Sequence, residues 1–269
     1  MNVISSLLLV FILLVVLILG RSSFFVLSGL FMNILLFFLL IFCLHLGLSV
    51  YLAALAYILL NSLITLGYVN GWNEKTKAAF YSLILFSFIV SLIFIPFIQK
   101  ISISGFSSQE LEELAAFNLN VPVSFTQLSV SVILIGVSGA LIDGSMSIAS
   151  STAEIFHQRY QKLDVKMLFK SSMSVVRSIL NSTVNTLLFA FISTGLALIF
   201  WYQDLDIPWY EMMNSQAFVF EFAVVILSSI SVAFILPFTS IITCYYLLKN
   251  QAKCFIQIDI NCFRKIIPF

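Results

Sequence analysis

The chain has 269 residues, of which 61% are hydrophobic and only 9% are charged. A soluble domain carries about 25% charged residues, and a globule of this size buries only about three-quarters of its surface, so this composition excludes a water-soluble fold. Thirteen Lys and Arg against twelve Asp and Glu leave a net charge of +1, which offers no basic surface to nucleic acid. The expected partner is the lipid bilayer.

Seven segments are apolar enough to cross a bilayer as helices, which need about 20 mostly apolar residues. In chain order they are residues 3–19, 24–43, 46–69, 79–98, 126–150, 179–201 and 223–248. The stretch from 24 to 69 is too long for one crossing, and we divide it at the polar residue His45. The sequence therefore predicts an all-α integral membrane protein with seven spans, in which residues 1–269 form one polytopic membrane domain.

The cations between these spans are distributed unequally. The connections that follow the first, third and fifth spans, together with the C-terminal tail, contain most of the cations. Among them are Arg21, Lys75, Lys77, Arg159, Lys162, Lys166, Lys170, Lys249, Lys253, Arg264 and Lys265. The connections that follow the second, fourth and sixth spans contain Lys100 as their one cation. Because Lys and Arg mark the cytoplasmic side, the pattern predicts an N-terminus outside and a C-terminus in the cytoplasm.

Three connections are long enough to have a structure of their own. Residues 107–116 are predicted to form a short amphipathic helix on the outer surface, because Ser107 and Glu110 have the spacing of a capping box. Residues 203–216 are predicted to form an outer loop with interfacial aromatic side chains, and residues 157–171 an inner loop. None of these segments is long enough for a soluble catalytic or ATP-binding domain.

One ionisable residue, Asp143, lies deep in the fifth span. Acids inside a bilayer cost about 2.5–3.5 kcal/mol on insertion scales and are functional candidates by default. Steps of three and four residues place Asp143 on one helical face with small and polar neighbours, namely Gly136, Gly139, Ser147, Ser150 and Glu154. Gly136 and Gly139 are expected to let another helix pack closely.

The sixth span has a similar polar line, made of Ser174, Arg177, Ser178, Asn181 and Asn185. If the two helices are antiparallel around a turn near Asp164, Asp143 and Asn185 lie at similar depth. Glu154 and Arg177 then meet near the inner interface. We therefore expect two pairs, Asp143 with Asn185 and Glu154 with Arg177.

Two roles for this site remain open. In the first, Asp143 takes up and releases a proton or cation during transport, supported by Asn185, Ser147 and the Glu154–Arg177 pair. In the second, Asp143 is a structural group that holds two helices together. The first role makes the chain the membrane subunit of a transport or export system, and the second makes it a non-catalytic structural or assembly subunit.

Several segments are similar to the YibE/F-like family of bacterial membrane proteins. The similarity rests on ALIDGSMSIASS at residues 140–151, GWNEKTKAA at residues 71–79 and the pattern from Val176 to Leu187. It extends over about residues 20–248, and the length resembles that of the YibF-like members. One departure is Ser178, since members usually have Asp after the arginine that matches Arg177.

The resemblance implies a multi-pass protein of the bacterial cytoplasmic membrane. It suggests a longer YibE-like membrane subunit as partner, with a homo-oligomer as the alternative. More distantly, the Gly139-x-x-x-Asp143 spacing is similar to a helix of SecD/SecF and of resistance-nodulation-division transporters. In those proteins the motif belongs to proton-driven machines.

Enzymatic alternatives have little support in the sequence. Ser138 lies in a GxSG pattern like that of rhomboid intramembrane proteases, but a serine nucleophile needs a histidine within hydrogen-bond reach. Neither His45 nor His157 is predicted at the depth of Ser138. The four cysteines lack metal-ligand spacing, and we expect no metal, no cofactor and no catalytic residue.

Overall fold

The computed structural model describes residues 3–101, 105, 125–158 and 165–266, with side chains as far as Lys249. All regular structure within these ranges is helical. The helices are α1 (Val3–Leu19), α2 (Ser23–His45), α3 (Val50–Ser62), α4 (Glu74–Ile101), α5 (Phe125–Gln158), α6 (Val165–Asp204), α7 (Trp209–Asn214) and α8 (Gln216–Ile266). A 3-10 turn, Gly20–Ser22, joins α1 to α2, and a π-helix, Leu63–Val69, continues α3.

Six helical stretches in the described part of the chain are long and apolar enough to cross a membrane. The predicted spans 3–19 and 24–43 correspond to α1 and α2, which together form one stretch of 43 residues, Val3–His45. Gly20 has a φ of +54° at the junction between them. The helix α2 ends at His45, the residue at which the sequence predicts a division, and a turn through Gly47, at φ +81°, leads into α3.

The bundle is organised around α5 and α8, which pack against each other and against both α4 and α6. The main apolar core lies between α4, α5 and α8 and contains Leu83, Ile133, Leu141 and Ile235, each fully or nearly fully buried. At the periphery, α1 has no buried residue and packs on α2. In the most apolar stretch of α5, 56% of the residues are buried, against 6% in that of α6.

Apart from the phenol of Tyr202, the buried polar side chains among the described residues are serine and threonine hydroxyls. Several of them donate to a carbonyl three or four residues back in their own helix, as Ser82 does to Ala78 and Ser231 to Leu227. A hydroxyl satisfied in this way enters an apolar core at low cost. The described charged side chains lie outside this core.

The helices extend well beyond several predicted spans. The expected inner loop at residues 157–171 is mostly helix, because α5 continues to Gln158 and α6 begins at Val165. Polar residues can continue a helix into the headgroup region, since the helix satisfies its own backbone hydrogen bonds. The expected outer loop at residues 203–216 contains α7, and the helix predicted at residues 107–116 lies outside the described residues.

Candidate functional site

A contact between α4 and α5 indicates the level of Asp143 relative to the expected membrane interface. Lys75 Nζ donates to Ser150 Oγ at 3.2 Å, just beyond an exposed Trp72. Lysine and tryptophan at a helix end are typical of the membrane interface, so Ser150 lies close to that level. Asp143 is seven residues from Ser150, which at 1.5 Å per residue is about 10 Å further into the bilayer.

Apart from Ser150, the face of α5 that carries Asp143 is turned away from the other described helices. Gly136, Gly139, Asp143, Ser147 and Glu154 are all exposed. A Cβ atom added to Gly139 would meet no other atom within 4 Å, so no described segment uses this glycine for close helix packing. The Asp143 carboxyl has no hydrogen-bond partner among the described residues, and Glu154 accepts one from Gln158 of its own helix at 3.0 Å.

A buried hydroxyl pair determines how α6 is aligned with α5. Thr152 Oγ1 and Ser172 Oγ are 2.7 Å apart, and Ser240 Oγ of α8 donates to Ser172 at 2.8 Å. Since α5 and α6 are antiparallel, residues equally distant from Thr152 and Ser172 lie at about the same depth. Asp143 is nine residues before Thr152, and Asn181 is nine residues after Ser172.

The expected pairings within the chain do not form. The register places Asn181 level with Asp143 and Lys170 level with Glu154, whereas Asn185 and Arg177 lie about four and seven residues away from those levels. The polar line of α6 also points outward, because Ser174, Arg177, Ser178, Asn181 and Asn185 are exposed. The opposite side of α6, with Leu168, Ser172 and Val176, is buried against its neighbours.

The face of α5 opposite Asp143 belongs to the core. Ser138 is 1% exposed and donates to the Ile135 carbonyl of its own helix at 2.6 Å. Neither described histidine bonds to it: His45 ends α2, and His157 is exposed near the end of α5. A serine held in this way has no base to activate it, so the geometry does not support the protease alternative.

A second acid lies towards the opposite end of the bundle from Lys75. Glu221 of α8 lines a cavity of about 310 Å³ between α5, α6 and α8, together with Leu128 and Thr194. Its carboxyl has no hydrogen-bond partner among the described residues. Leu128 is 15 residues before Asp143 on α5, which separates the two levels by about 22 Å.

The sequence alone does not reveal two contacts near the site. In the sequence, Lys75 is recognisable only as a cation near the end of a span. Its contact with Ser150 could not be predicted, because it depends on how α4 packs against α5. The hydroxyls of Thr152, Ser172 and Ser240 join three helices, each helix contributing one hydroxyl. In the sequence, these residues differ from other serines and threonines only by lying inside long apolar stretches.

The described residues contain no group of three or more His, Cys, Asp or Glu side chains that could hold a metal ion. In comparisons with known proteins, the model of one family, described as YibE/F-like protein, matches residues 7–249. No curated protein and no solved structure matches the chain. The distant similarity of the Asp143 helix to SecD/SecF and resistance-nodulation-division transporters therefore stays a prediction.

Proposed function

The chain belongs to the YibE/F-like family, and we propose that it is the membrane subunit of a transport or export system. In this proposal Asp143 is the coupling residue, which takes up a proton from one side of the membrane and releases it to the other. The observation that carries the proposal is that the Asp143 carboxyl, in a helix long and apolar enough to cross a membrane, bonds to no other described residue. A carboxyl that holds α5 and α6 together would require a partner on α6.

The free energy of an intramembrane acid favours this role. An ionised carboxylate at that depth costs about 2.5–3.5 kcal/mol on insertion scales, and nothing in the described chain offsets that cost. Protonation removes the charge and most of the penalty. Asp143 can thus exchange between two states without breaking a bond inside its own chain, as a proton carrier must.

Glu221 is a second acid that can take part in the proposed proton transfer. Its cavity lies between α5, α6 and α8 at the end of the bundle away from Lys75. With about 22 Å between the levels of the cavity and Asp143, the two acids occupy opposite halves of the bilayer. In the proposal, Glu221 exchanges protons with one aqueous phase and Asp143 with the other.

The proposal includes a topology and a location. As one straight helix, Val3–His45 would measure about 65 Å, roughly twice the thickness of the hydrocarbon core. We therefore assign two crossings to this stretch and seven to the chain. The N-terminus is then outside and the C-terminus in the cytoplasm of a bacterium, in whose cytoplasmic membrane the protein lies.

Infrared difference spectroscopy on the protein in lipid vesicles tests whether Asp143 titrates. Over the pH range in which the protein stays folded, the native protein should lose on titration a carboxylic acid carbonyl band that the Asp143→Asn variant lacks and the Glu154→Gln control retains. If the Asp143 band is unchanged over this range, the residue does not exchange protons and the coupling role is wrong.

Complementation of a deletion strain separates transport from a structural role. Asp143→Glu keeps a titratable group and should restore the phenotype, whereas Asp143→Asn, of similar size, should not. Glu211→Gln, which changes an exposed acid on α7 away from this site, serves as the control and should behave like the native protein. If Asp143→Asn restores the phenotype fully, the chain is a structural or assembly subunit.

A further inference from the structure

Two polar faces of the chain have no partner among the described residues. The acidic face of α5 consists of Gly136, Gly139, Asp143, Ser147 and Glu154. The basic face of α6 consists of Lys170, Arg177, Asn181 and Asn185. All of these residues are exposed, and apart from the bond between Glu154 and Gln158 their side chains make no hydrogen bond to a described residue.

The membrane makes this arrangement costly. Asp143 and Asn181 lie about 10 Å beyond the level of Ser150, and Arg177 about 4 Å beyond it. Lipid tails cannot hydrogen-bond to a carboxylate, an amide or a guanidinium, so each such group costs free energy when lipid covers it. Polar groups at this depth almost always face the interior of a bundle or an aqueous cavity.

The two faces are complementary when they are compared level by level. The Thr152–Ser172 contact places Asp143 opposite the amide of Asn181, and Glu154 opposite Lys170. Between them, Arg177 is level with Ser147. Copies of a membrane protein inserted in the same orientation have the same residues at the same depth, so this matching holds between two copies.

We propose that the acidic face of one copy packs against the basic face of a second copy of this chain. Both faces are present in each chain and match in sign and depth, so a second copy satisfies them without any other protein. Asp143 of one copy then bonds to Asn181 of the other, and Glu154 pairs with Lys170. This interface does not depend on proton transport by Asp143.

Gly139 makes a close approach of the second copy sterically possible. An added Cβ atom at this position meets no described atom of another helix within 4 Å, so no described helix occupies the space above the glycine. Small residues allow helix backbones to pack closely in a bilayer, where van der Waals contact and interhelical hydrogen bonds drive association. The acidic face thus has small residues near its centre, and its polar groups lie at the depths at which the basic face has complementary polar groups.

Charge reversal in trans tests the interface. Glu154→Lys places lysine at both positions of the contact between residues 154 and 170, and Lys170→Glu places glutamate at both. Each variant alone should therefore self-associate about tenfold more weakly than the native protein, from two unfavourable pairs of roughly 0.7 kcal/mol each. Mixed together, the two variants are complementary at both contacts and should recover association. The readout is the fraction of two-step photobleaching traces from labelled protein in lipid vesicles.

Recovery in the mixture requires contact between chains, because a pair within one chain cannot be restored by a second chain. A monomeric native protein in vesicles would overturn the proposal, as would a mixture no more associated than its components. Two variants that associate as strongly as the native protein would also overturn it.

Disulfide cross-linking locates the contact. In a background without the native cysteines, Ser147→Cys in one copy should cross-link to Ser178→Cys in another. The matched control replaces Ser178→Cys by Leu85→Cys, which is 55% exposed on α4, and should give no product. If Ser147→Cys cross-links only to a co-expressed longer family member, that protein occupies the face and the second copy does not.

Discussion

Gly144 of α5 lies against Leu236 of α8, where a Cβ atom added to the glycine would be 3.2 Å from Leu236 Cδ2. Gly144 follows Asp143, and Leu236 precedes Pro237, which lies inside α8. A proline within a helix removes one backbone hydrogen bond and weakens that turn. The contact therefore joins the turn of α5 that carries Asp143 to the turn of α8 in which Pro237 removes a backbone hydrogen bond.

Enlarging Gly144 should destabilise the bundle. Gly144→Leu forces side-chain atoms into the space of Leu236 and Ile235, and overpacking of this kind costs about 1–3 kcal/mol. The expected result is a lower midpoint of thermal unfolding in detergent, followed by tryptophan fluorescence. Ala190→Leu, at an exposed position of α6, is the control and should leave the midpoint unchanged. Equal effects of the two substitutions would contradict the packing.

Removing the hydroxyl of Ser172 should loosen the junction of α5, α6 and α8. Ser172→Ala leaves Thr152 and Ser240 without their shared partner, and losing such bonds costs about 1–2 kcal/mol. The variant should unfold at a lower temperature than Ser178→Ala, a change on the exposed side of the same helix. A Ser172→Thr variant keeps the hydroxyl and should be closer to the native protein than Ser172→Ala is.

Cysteine labelling in intact cells should determine the topology of Val3–His45. In a background without native cysteines, Asn2→Cys and Ser49→Cys should react with an impermeant maleimide added outside, because two crossings return the chain to the side on which it began. Asn73→Cys, in the turn before α4, should react after permeabilisation. If Asn2→Cys and Asn73→Cys react from the same side, the stretch crosses the membrane once.

Ser138 should have no role as a nucleophile. The purified protein should not be labelled at this residue by a fluorophosphonate probe, since its hydroxyl is buried and donates to Ile135. Ser138→Ala should also complement a deletion strain as well as the native gene does. Covalent labelling of Ser138, detected by mass spectrometry, would reinstate the protease alternative.

The sequence by itself determined the fold class and most helix positions. Long apolar stretches have one stable form in a bilayer, because a helix satisfies every backbone hydrogen bond within itself, and His45 ends α2 where its polarity interrupts such a stretch. The periodicity of α5 also places Gly139, Asp143 and Ser147 on one face, since 3.6 residues per turn is a property of the helix alone.

Only the tertiary structure decided which way that face points. Helical periodicity groups residues but does not orient the group, so the expected bond between Asp143 and Asn185 was consistent with the sequence and wrong in the fold. The orientation follows from packing: the side of α5 that contains Leu141, Gly144 and Ile148 fits closely against α4, α6 and α8. Close contact with three helices outweighs a single interhelical hydrogen bond, because dispersion summed over many buried atoms exceeds the modest net energy of one such bond in a bilayer.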